Sequence, residues 1–276
     1  MAITAADVNK LRQMTGAGMM DCKQALTEAN GDFDAAIDVL RKKGQKVAAK
    51  RADRDANEGQ VVAKTTADGT RGVLICLNCE TDFVAKNSDF AAVADRMAQI
   101  ALDKGAASID ALKALAYDSN GLTVAEKLIE QTGVIGEKID ISACQEVKAA
   151  FVYAYNHPGN KVASIVGLNK TGFLDAAKDA AMQVAAMAPV AVDKERVPQS
   201  VIDKEIEIGK ELAIQEGKPA EMAEKIALGR LNKFFKESTL LAQEFIKDNK
   251  LTVEQYLKSV DKDLTVTDFK RHSLTI

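Results

Sequence analysis

The chain has 276 residues, 47% of them hydrophobic and 28% charged, so it can bury substantial cores while its surface stays polar. Its 37 Lys and Arg nearly balance its 40 Asp and Glu, and the net charge of -3 argues against a dedicated nucleic-acid-binding protein, whose domains are usually basic. With 2 His, 4 Cys and no Trp, the material for a His-rich metal site or a disulfide framework is thin.

The length predicts two or three domains, and the N-terminal segment and the cysteines indicate a compartment. Residues 1–7 lack a basic region followed by an apolar run, and no stretch approaches the roughly 18 consecutive apolar residues of a membrane span. The cysteines, Cys22, Cys76, Cys79 and Cys144, are few and scattered, as is typical of reduced thiols. We therefore expect a cytoplasmic protein.

The first 40 residues predict three short helices. Thr4 and Asp7 form a capping-box start, residues 15–18 break the first helix, Asn30-Gly31 ends the second, and Asp32 can cap the third. The apolar positions at three- and four-residue spacing are, helix by helix, Val8 and Leu11; Met19, Cys22, Leu26 and Ala29; and Phe33, Ile37 and Leu40. A bundle this small has a marginal core, so it either presents a surface to a partner or caps the rest of the chain.

A basic run follows the third helix. Its members are Arg41, Lys42, Lys43, Lys46, Lys50, Arg51 and Arg54, interrupted by Gly44. Lys and Arg could neutralise phosphates, but no aromatic residues are interleaved for base stacking. We interpret the run as a solvated linker, partly helical.

The centre of the chain carries one pattern twice. In the first copy, residues 60–66 and 73–79 predict strands joined by a turn at Asp68-Gly69, and a helix starts at Ser88. In the second copy, residues 146–155 and 162–169 predict strands joined at Pro158-Gly159-Asn160. The predicted helix stripes are Phe90, Val93, Ala94, Met97 and Ala101 in the first copy, and Leu174, Ala177, Ala181, Val184 and Ala188 in the second. The prediction is an α+β fold with two related subdomains, each an antiparallel sheet covered by helices.

The two copies differ where the second strand leads into the helix. The second copy makes this connection through Lys170-Thr171-Gly172, whereas the first inserts residues 80–87. The insertion places Phe83 and Val84 between Asp82 and Lys86. A loop Phe usually folds back onto its own protein or enters a partner, and the residues alone leave both open.

The C-terminal part predicts a helical hairpin over about 197–237. Pro198 opens the first helix, and residues 217–219 form the turn to the second. The apolar positions of the first helix are Val201, Ile208 and Leu212, with the polar Glu205 between them. Those of the second helix are Met222, Ile226 and Leu231. A projecting arm and a hairpin lying flat on the sheet both fit this pattern. Capping boxes predict further helices after Thr123 and Thr252, and 264–269 alternates like a final strand.

Two long signatures carry a family resemblance. Leu11-Arg12-x-Met14-Thr15-Gly16-Ala17-Gly18-Met19-Met20-Asp21-Cys22-Lys23-x-Ala25-Leu26, continued by Asn30-Gly31-Asp32, and Cys79-Glu80-Thr81-Asp82-Phe83-Val84-Ala85 strongly resemble signatures of the bacterial translation elongation factor Ts family. His157-Pro158-Gly159 and Gly217-Lys218-Pro219 also match, and the order holds over nearly the whole chain. Two departures stand beside this match: the loop continues as Asn160-Lys161-Val162, where the family has a Gly-Arg-Ile-Gly-type run, and the chain ends at Ile276 where many members have a further helix.

The resemblance implies a guanine nucleotide exchange factor that binds elongation factor Tu, destabilises its Mg²⁺ and GDP, and performs no chemical step itself. It implies a ubiquitin-associated-like docking domain with a basic linker at 1–54, a core subdomain at 55–142, and a second at 143–276 that carries the hairpin. The implied partner-binding residues are Thr81, Asp82, Phe83 and Val84 in the loop that dislocates Mg²⁺; Leu11, Arg12, Thr15, Gly16, Ala17, Gly18, Met19 and Met20 in the first domain; and His157 in the second subdomain. It implies no cofactor and no binding of nucleotide, nucleic acid or membrane, and it is compatible with a homodimer or a 2:2 complex.

Other functions are disfavoured by specific residues. A nucleotide-binding enzyme would need a phosphate-binding loop that the chain lacks, and Asn169-Lys170-Thr171-Gly172 has Gly where a guanine-reading motif has Asp. Cys76 and Cys79 form a C-x-x-C, but three-residue spacing in a strand points the two side chains to opposite faces. We interpret both as buried thiols. A generic ubiquitin-like adaptor would explain the first domain but not the unequal loop.

Overall fold

The computed structural model describes residues 3–118 and 121–274. Their contacts form two compact units. The first contains the described residues up to Val62 and those of 75–145, with Leu274, and the second contains Ala63–Leu74 and Glu146–Ser273. The three-part division at residues 54 and 142 stays a prediction.

The N-terminal part folds as the predicted helices α1 (Ala5–Thr15), α2 (Met19–Glu28) and α3 (Phe33–Lys50). The capping box is confirmed, since Asp7 N donates to Thr4 Oγ1 (3.2 Å) and Thr4 N donates to the Asp7 carboxylate (3.0 Å). The small core that these helices share contains Val8, Leu11, Ala17, Cys22, Ala25, Leu26 and Ala36. The placement of Met19 on the buried face was wrong, because its side chain is half exposed.

Most of the basic run is the continuation of α3, which runs through Gly44 to Lys50, whereas Arg51 and Arg54 lie beyond the helix, so the prediction of a partly helical run is confirmed. Gly44 is buried against α7 (Val124–Ile135), where a Cβ on Gly133 would lie 2.6 Å from the Gly44 Cα. Two helices approach this closely only where neither carries a side chain. Gly44 therefore marks a helix crossing, which a single sequence does not distinguish from a helix break.

The first sheet has the order β1-β2-β3, with β1 at Glu58–Thr65, β2 at Arg71–Cys79 and β3 at Asp140–Lys148. The predicted burial of β2 on both faces is confirmed, since every residue after Arg71 is buried. Helices α4 (Asp82–Ala85), α5 (Ser88–Lys104) and α6 (Ile109–Lys113) follow β2. Helix α5 starts at Ser88, as predicted, and Asn87 caps it by accepting from Asp89 N at 2.7 Å. The capping box of α7 at Thr123 is confirmed.

The predicted strand at 146–155 is two strands in two different sheets. Its first residues form the end of β3, and its later residues belong to β4 (Phe151–Asn156). Strand β4 joins β5 (Val162–Leu168) and β8 (Val266–Ser273) in a second sheet with the antiparallel order β4-β5-β8. The break occurs because Ala149 N and Val152 N donate to Thr70 O (3.1 Å) and Gly69 O (2.6 Å) at the tip of the β1-β2 hairpin. Alternating hydrophobicity does not reveal such a switch of partners.

The second sheet packs against α8 (Leu174–Met187), and α11 (Val253–Val260) and the β6 (Glu244–Phe245) and β7 (Asp248–Thr252) hairpin complete that core. Of the predicted α8 stripe, Ala177, Ala181 and Val184 are buried, whereas Leu174 is exposed and Ala188 lies beyond the helix. The Thr252 capping box and the final strand are confirmed. The combination of helices with separate β-sheets confirms the α+β prediction.

The helical hairpin consists of α9 (Gln199–Gln215) and α10 (Ala220–Ser238), each packed chiefly against the other. The predicted seam was wrong at Ile208, Leu212 and Met222, which are exposed, and right at Leu231, which is buried. The buried seam residues are mostly small: Gly209, Ala213, Ala223, Ala227 and Leu231. Small residues let the helices approach closely, and a Cβ on Gly209 would lie 3.1 Å from Ala227. A search for large apolar residues at coiled-coil spacing therefore selects the wrong face.

Candidate partner-binding site

The inserted segment between β2 and α5 forms the one-turn helix α4. Thr81 precedes it as the N-cap, with Val84 N donating to Thr81 Oγ1 at 3.5 Å. Ala85 is buried, and its carbonyl accepts from Gln60 Nε2 at 2.6 Å. The segment is thus a short ordered turn fixed at both ends rather than a loose loop.

Phe83 points away from the fixed side of this turn and is 84% exposed. Among the described residues, no other exposed large apolar side chain reaches that value. Each Å² of apolar surface left in water costs about 25 cal/mol relative to burial, so an exposed phenyl ring gains free energy by entering a contact. The residues that the structure describes leave most of the Phe83 side chain uncovered.

Charged groups lie beside the ring. Lys86 Nζ lies 2.6 Å from Asp82 Oδ2, and this bond raises the pKa of Lys86 above its ordinary value. Both side chains are on the surface, where such a pair is easily exchanged for other partners. The turn therefore presents an apolar ring next to a carboxylate that a competing charge can recruit.

The base of the turn is held by side chains that sequence reasoning missed. Glu137 Oε2 accepts from Glu80 N (3.1 Å) and Thr81 N (3.0 Å), while Thr81 Oγ1 donates to Glu137 Oε1 (2.6 Å). Glu80 in turn accepts from Arg51 Nη1 on both carboxylate oxygens (2.9 Å each) and from Lys138 N (2.7 Å). These partners are 29 to 58 residues apart along the chain, and no local motif signals such distant contacts.

The N-terminal signature divides into core and surface residues. Leu11 and Ala17 are buried, and Thr15 Oγ1 donates to Leu11 O at 2.8 Å, which shapes the turn. Gly16 ends α1 with a φ of 72°, where a side chain would be strained, and Gly18 precedes α2 as its N-cap. The exposed side chains of the signature include Arg12, Met14, Met19 and Met20. The signature thus builds a rigid turn that exposes methionines.

His157 begins the turn between β4 and β5. Its ring Nδ1 lies 3.0 Å from the Tyr155 hydroxyl, and its backbone N–H donates to Val162 O at 2.9 Å. The side chain is exposed. The turn therefore displays an oriented imidazole at the surface of the second unit.

The remaining candidate chemistry concerns the thiols. Cys76 and Cys79 are free and fully buried, as predicted. Burial raises the pKa of Cys76 to about 11, and burial together with the nearby Glu137 carboxylate raises that of Cys79 to about 12. Neither thiol is a reactive nucleophile at neutral pH, because the thiolate is the reactive form.

Within residues 3–118 and 121–274, no cluster of three or more His, Cys, Asp or Glu side chains is arranged to hold a metal ion. Within the same ranges, every helix falls short of the length or the apolarity that a bilayer-spanning segment requires.

Comparison with known proteins decides the family. The family model described as Elongation factor TS matches residues 80–275, which include the Phe83 turn, the second sheet and the helical hairpin. The chain belongs to the elongation factor Ts family. Its relatives include Elongation factor Ts of Christiangramia forsetii, 57% identical over 99% of this chain and 98% of the relative. Elongation factor Ts of Flavobacterium psychrophilum is 53% identical over the same shares, and that of Amoebophilus asiaticus is 54% identical over 98% of each chain. Membership of this family makes the protein a translation elongation factor.

Proposed function

We propose that this protein is a guanine nucleotide exchange factor that binds elongation factor Tu, weakens the hold of elongation factor Tu on Mg²⁺ and GDP, and so promotes GDP release and GTP entry. The single observation that carries this proposal is the 84% exposed Phe83 on an ordered turn. Family membership supports the partner.

Phe83 would act as a wedge in elongation factor Tu. Burying its ring in a partner is worth about 1.5–3 kcal/mol, which can be used to separate two packed elements of that partner. Because α4 is anchored through Thr81 and Ala85, the backbone that carries the ring is already fixed before binding, and less ordering entropy is lost on contact. A wedge on a rigid scaffold suits the displacement of a phosphate-binding segment.

Asp82 would act beside the wedge. Its carboxylate is paired with Lys86 at the surface, and binding would bring it towards the groups that surround the bound Mg²⁺. Mg²⁺ bridges the phosphates of a bound nucleotide, so disturbing its surroundings removes part of the nucleotide's affinity. Each 1.4 kcal/mol lost corresponds to about tenfold in affinity.

The other predicted residues would supply affinity rather than displacement. Met19 and Met20 offer flexible apolar surface, which adapts well to a partner, and Arg12 lies exposed near them in the sequence. Leu11, Thr15, Gly16, Ala17 and Gly18 would act by holding the turn that presents these side chains. His157 would contribute a separate contact from the second unit, with Tyr155 orienting its ring.

No chemical step is required of this protein. It needs only to bind the nucleotide-free state of elongation factor Tu more tightly than the GDP-bound state. By thermodynamic linkage, GDP lowers the affinity of elongation factor Tu for the exchange factor, and the exchange factor lowers its affinity for GDP to the same extent. GTP binding releases the exchange factor in the same way.

Release of a fluorescent GDP analogue from elongation factor Tu tests the proposal. We expect the wild-type protein to accelerate release, and Phe83→Ala to lose most of the acceleration. The matched variant Met20→Ala should raise the concentration needed for half-maximal effect while leaving the maximal rate largely intact. Failure of the wild-type protein to accelerate release would overturn the proposed function.

A further inference from the structure

The Glu137 carboxylate makes three hydrogen bonds, all to the base of the Phe83 turn. It follows Gly136, which ends α7 with a φ of 81°. One carboxylate oxygen accepts from two successive backbone N–H groups, Glu80 N and Thr81 N, and the other accepts from the Thr81 hydroxyl. Hydrogen bonds to a charged acceptor are worth about twice as much as neutral ones.

The Thr81 hydroxyl connects Glu137 to α4. Because its proton is donated to Glu137 Oε1 at 2.6 Å, its lone pairs remain to accept from Val84 N, the N-cap contact of the turn. Glu137 thereby orients the cap of the helix that carries Phe83. A side chain 54 residues beyond Phe83 in sequence thus determines how the ring is presented.

A second layer supports the same point. Glu80, whose backbone N–H is held by Glu137, directs its own carboxylate to Arg51 at the C-terminal end of α3 and to Lys138 N. Lys138 Nζ donates to Ala52 O (2.8 Å) and Arg54 O (3.0 Å). The base of the turn is therefore linked to the end of α7 and to the end of α3.

We infer that Glu137 is a positioning residue for exchange: it does not contact the partner, but it holds Thr81 so that Phe83 is presented as a rigid wedge. The inference rests on the proposed function for its effect on exchange, but its structural part can be tested without elongation factor Tu. Exposed turns of a few residues are ordered only by such contacts, because their own backbone hydrogen bonds do not offset the loss of conformational entropy.

The first experiment measures the order of the turn directly. Because the chain has no Trp, Phe83→Trp introduces a single Trp at an exposed position, which can be excited selectively over the four Tyr. Its fluorescence anisotropy should fall when Glu137→Ala is added and should stay near the value of the Phe83→Trp variant alone with Glu137→Gln, whose amide can still accept from the backbone and donate to Thr81. The matched control is Glu126→Ala, which removes a carboxylate that accepts from Thr123 N (2.8 Å) at the opposite end of α7 and should leave the anisotropy unchanged.

The second experiment is a double-mutant cycle in GDP release from elongation factor Tu. Glu137→Ala should lower the maximal rate by roughly tenfold, equivalent to about 1.4 kcal/mol, with little change in the half-maximal concentration. In the Phe83→Ala background the same substitution should have almost no further effect, because Glu137 acts through Phe83. Glu137→Gln should restore most of the rate.

The outcomes separate the two proposals. If the wild-type protein fails to accelerate release, the proposed function is wrong, and the anisotropy alone decides the inference. If exchange depends on Phe83 but Glu137→Ala leaves both anisotropy and maximal rate unchanged, the inference is wrong. Equal effects of Glu137→Ala with and without Phe83 would also overturn it. Should Glu137→Ala not fold, Thr81→Val, which removes the hydroxyl that joins Glu137 to the cap of α4, must show the same direction in both measurements.

Discussion

Two strand-to-helix connections occupy the same place in the repeated pattern and treat their phenylalanines in opposite ways. Between β2 and α5, Phe83 is 84% exposed. Between β5 and α8, Phe173 is partly buried and packs against the core of the second sheet. The same residue type thus serves as a surface feature in one copy and as a core residue in the other.

The contacts around each connection explain the difference. The second connection is held at its first two residues, because Asn169 donates to Asp263 O (2.7 Å) and accepts from Thr265 N (2.9 Å), and Lys170 pairs with Asp261 (2.6 Å). The first connection is held at its base and at Ala85, and Phe83 between these two points stays exposed. Connection length and anchoring contacts, rather than the presence of Phe, decide what the ring does.

The largest effect on stability should come from the ring that packs inward. Phe173→Ala should lower the free energy of unfolding by about 2 kcal/mol, below the 3–5 kcal/mol of a fully buried Phe because the ring is only partly covered. Phe83→Ala should change it by less than about 0.5 kcal/mol, as expected of a surface position. Urea denaturation of both variants checks this, and equal losses would contradict the distinction between the two rings.

A smaller loss in the free energy of unfolding should follow from removing the hydrogen bonds that hold the second connection. Asn169→Ala removes one donor and one acceptor at an exposed site, so it should cost about 1 kcal/mol. Asn169→Asp keeps the acceptor for Thr265 N and should lie between the wild type and Asn169→Ala in urea denaturation. A stability unchanged in both variants would show that this connection is not held by Asn169.

The smallest expected effect on the free energy of unfolding is a pH dependence that comes from Glu80, at the base of the first connection. The backbone N–H of Lys138 and, to a smaller extent, the Arg51 guanidinium hold the pKa of Glu80 below its ordinary value of 4.5. A lowered pKa in the folded state means that ionised Glu80 stabilises the protein above pH 4.5, and that this stabilisation is lost as the pH falls through the folded-state pKa.

Unfolding measured between about pH 6 and about pH 3 tests this sign. The stability difference between the wild type and Glu80→Gln should shrink as the pH falls through that range. A difference that stays constant or grows towards acid would show that Glu80 is not held in its ionised form.

Local features of the fold were predictable from the sequence. The caps at Thr4, Asp32, Thr123 and Thr252 and the buried strand β2 follow from short-range chemistry, and the structure has each of them. The unequal connections of the two copies were also visible as an insertion. That insertion raised the question of Phe83 but could not decide whether the ring folds back.

The features that sequence reasoning missed depend on partners distant in the chain. Gly44 looked like an interruption in a basic run, whereas it lies inside α3, because Gly133, 89 residues later, supplies the reason for a glycine there. The strand at 146–155 was split by the tip of another hairpin, and the hairpin seam uses small residues that carry little hydrophobic signal. Glu137 gave no signal at all, since an isolated Glu after a Gly has no pattern to recognise.

The most direct measurement compares the two phenylalanines in one exchange assay. Release of fluorescent GDP from elongation factor Tu is followed against the concentration of the wild-type protein, Phe83→Ala and Phe173→Ala, each verified as folded. We predict that Phe83→Ala lowers the maximal rate at least roughly tenfold, about 1.4 kcal/mol in the barrier, while folded Phe173→Ala keeps a near wild-type maximal rate. A Phe83→Ala protein that accelerates GDP release as well as the wild type would contradict the wedge mechanism.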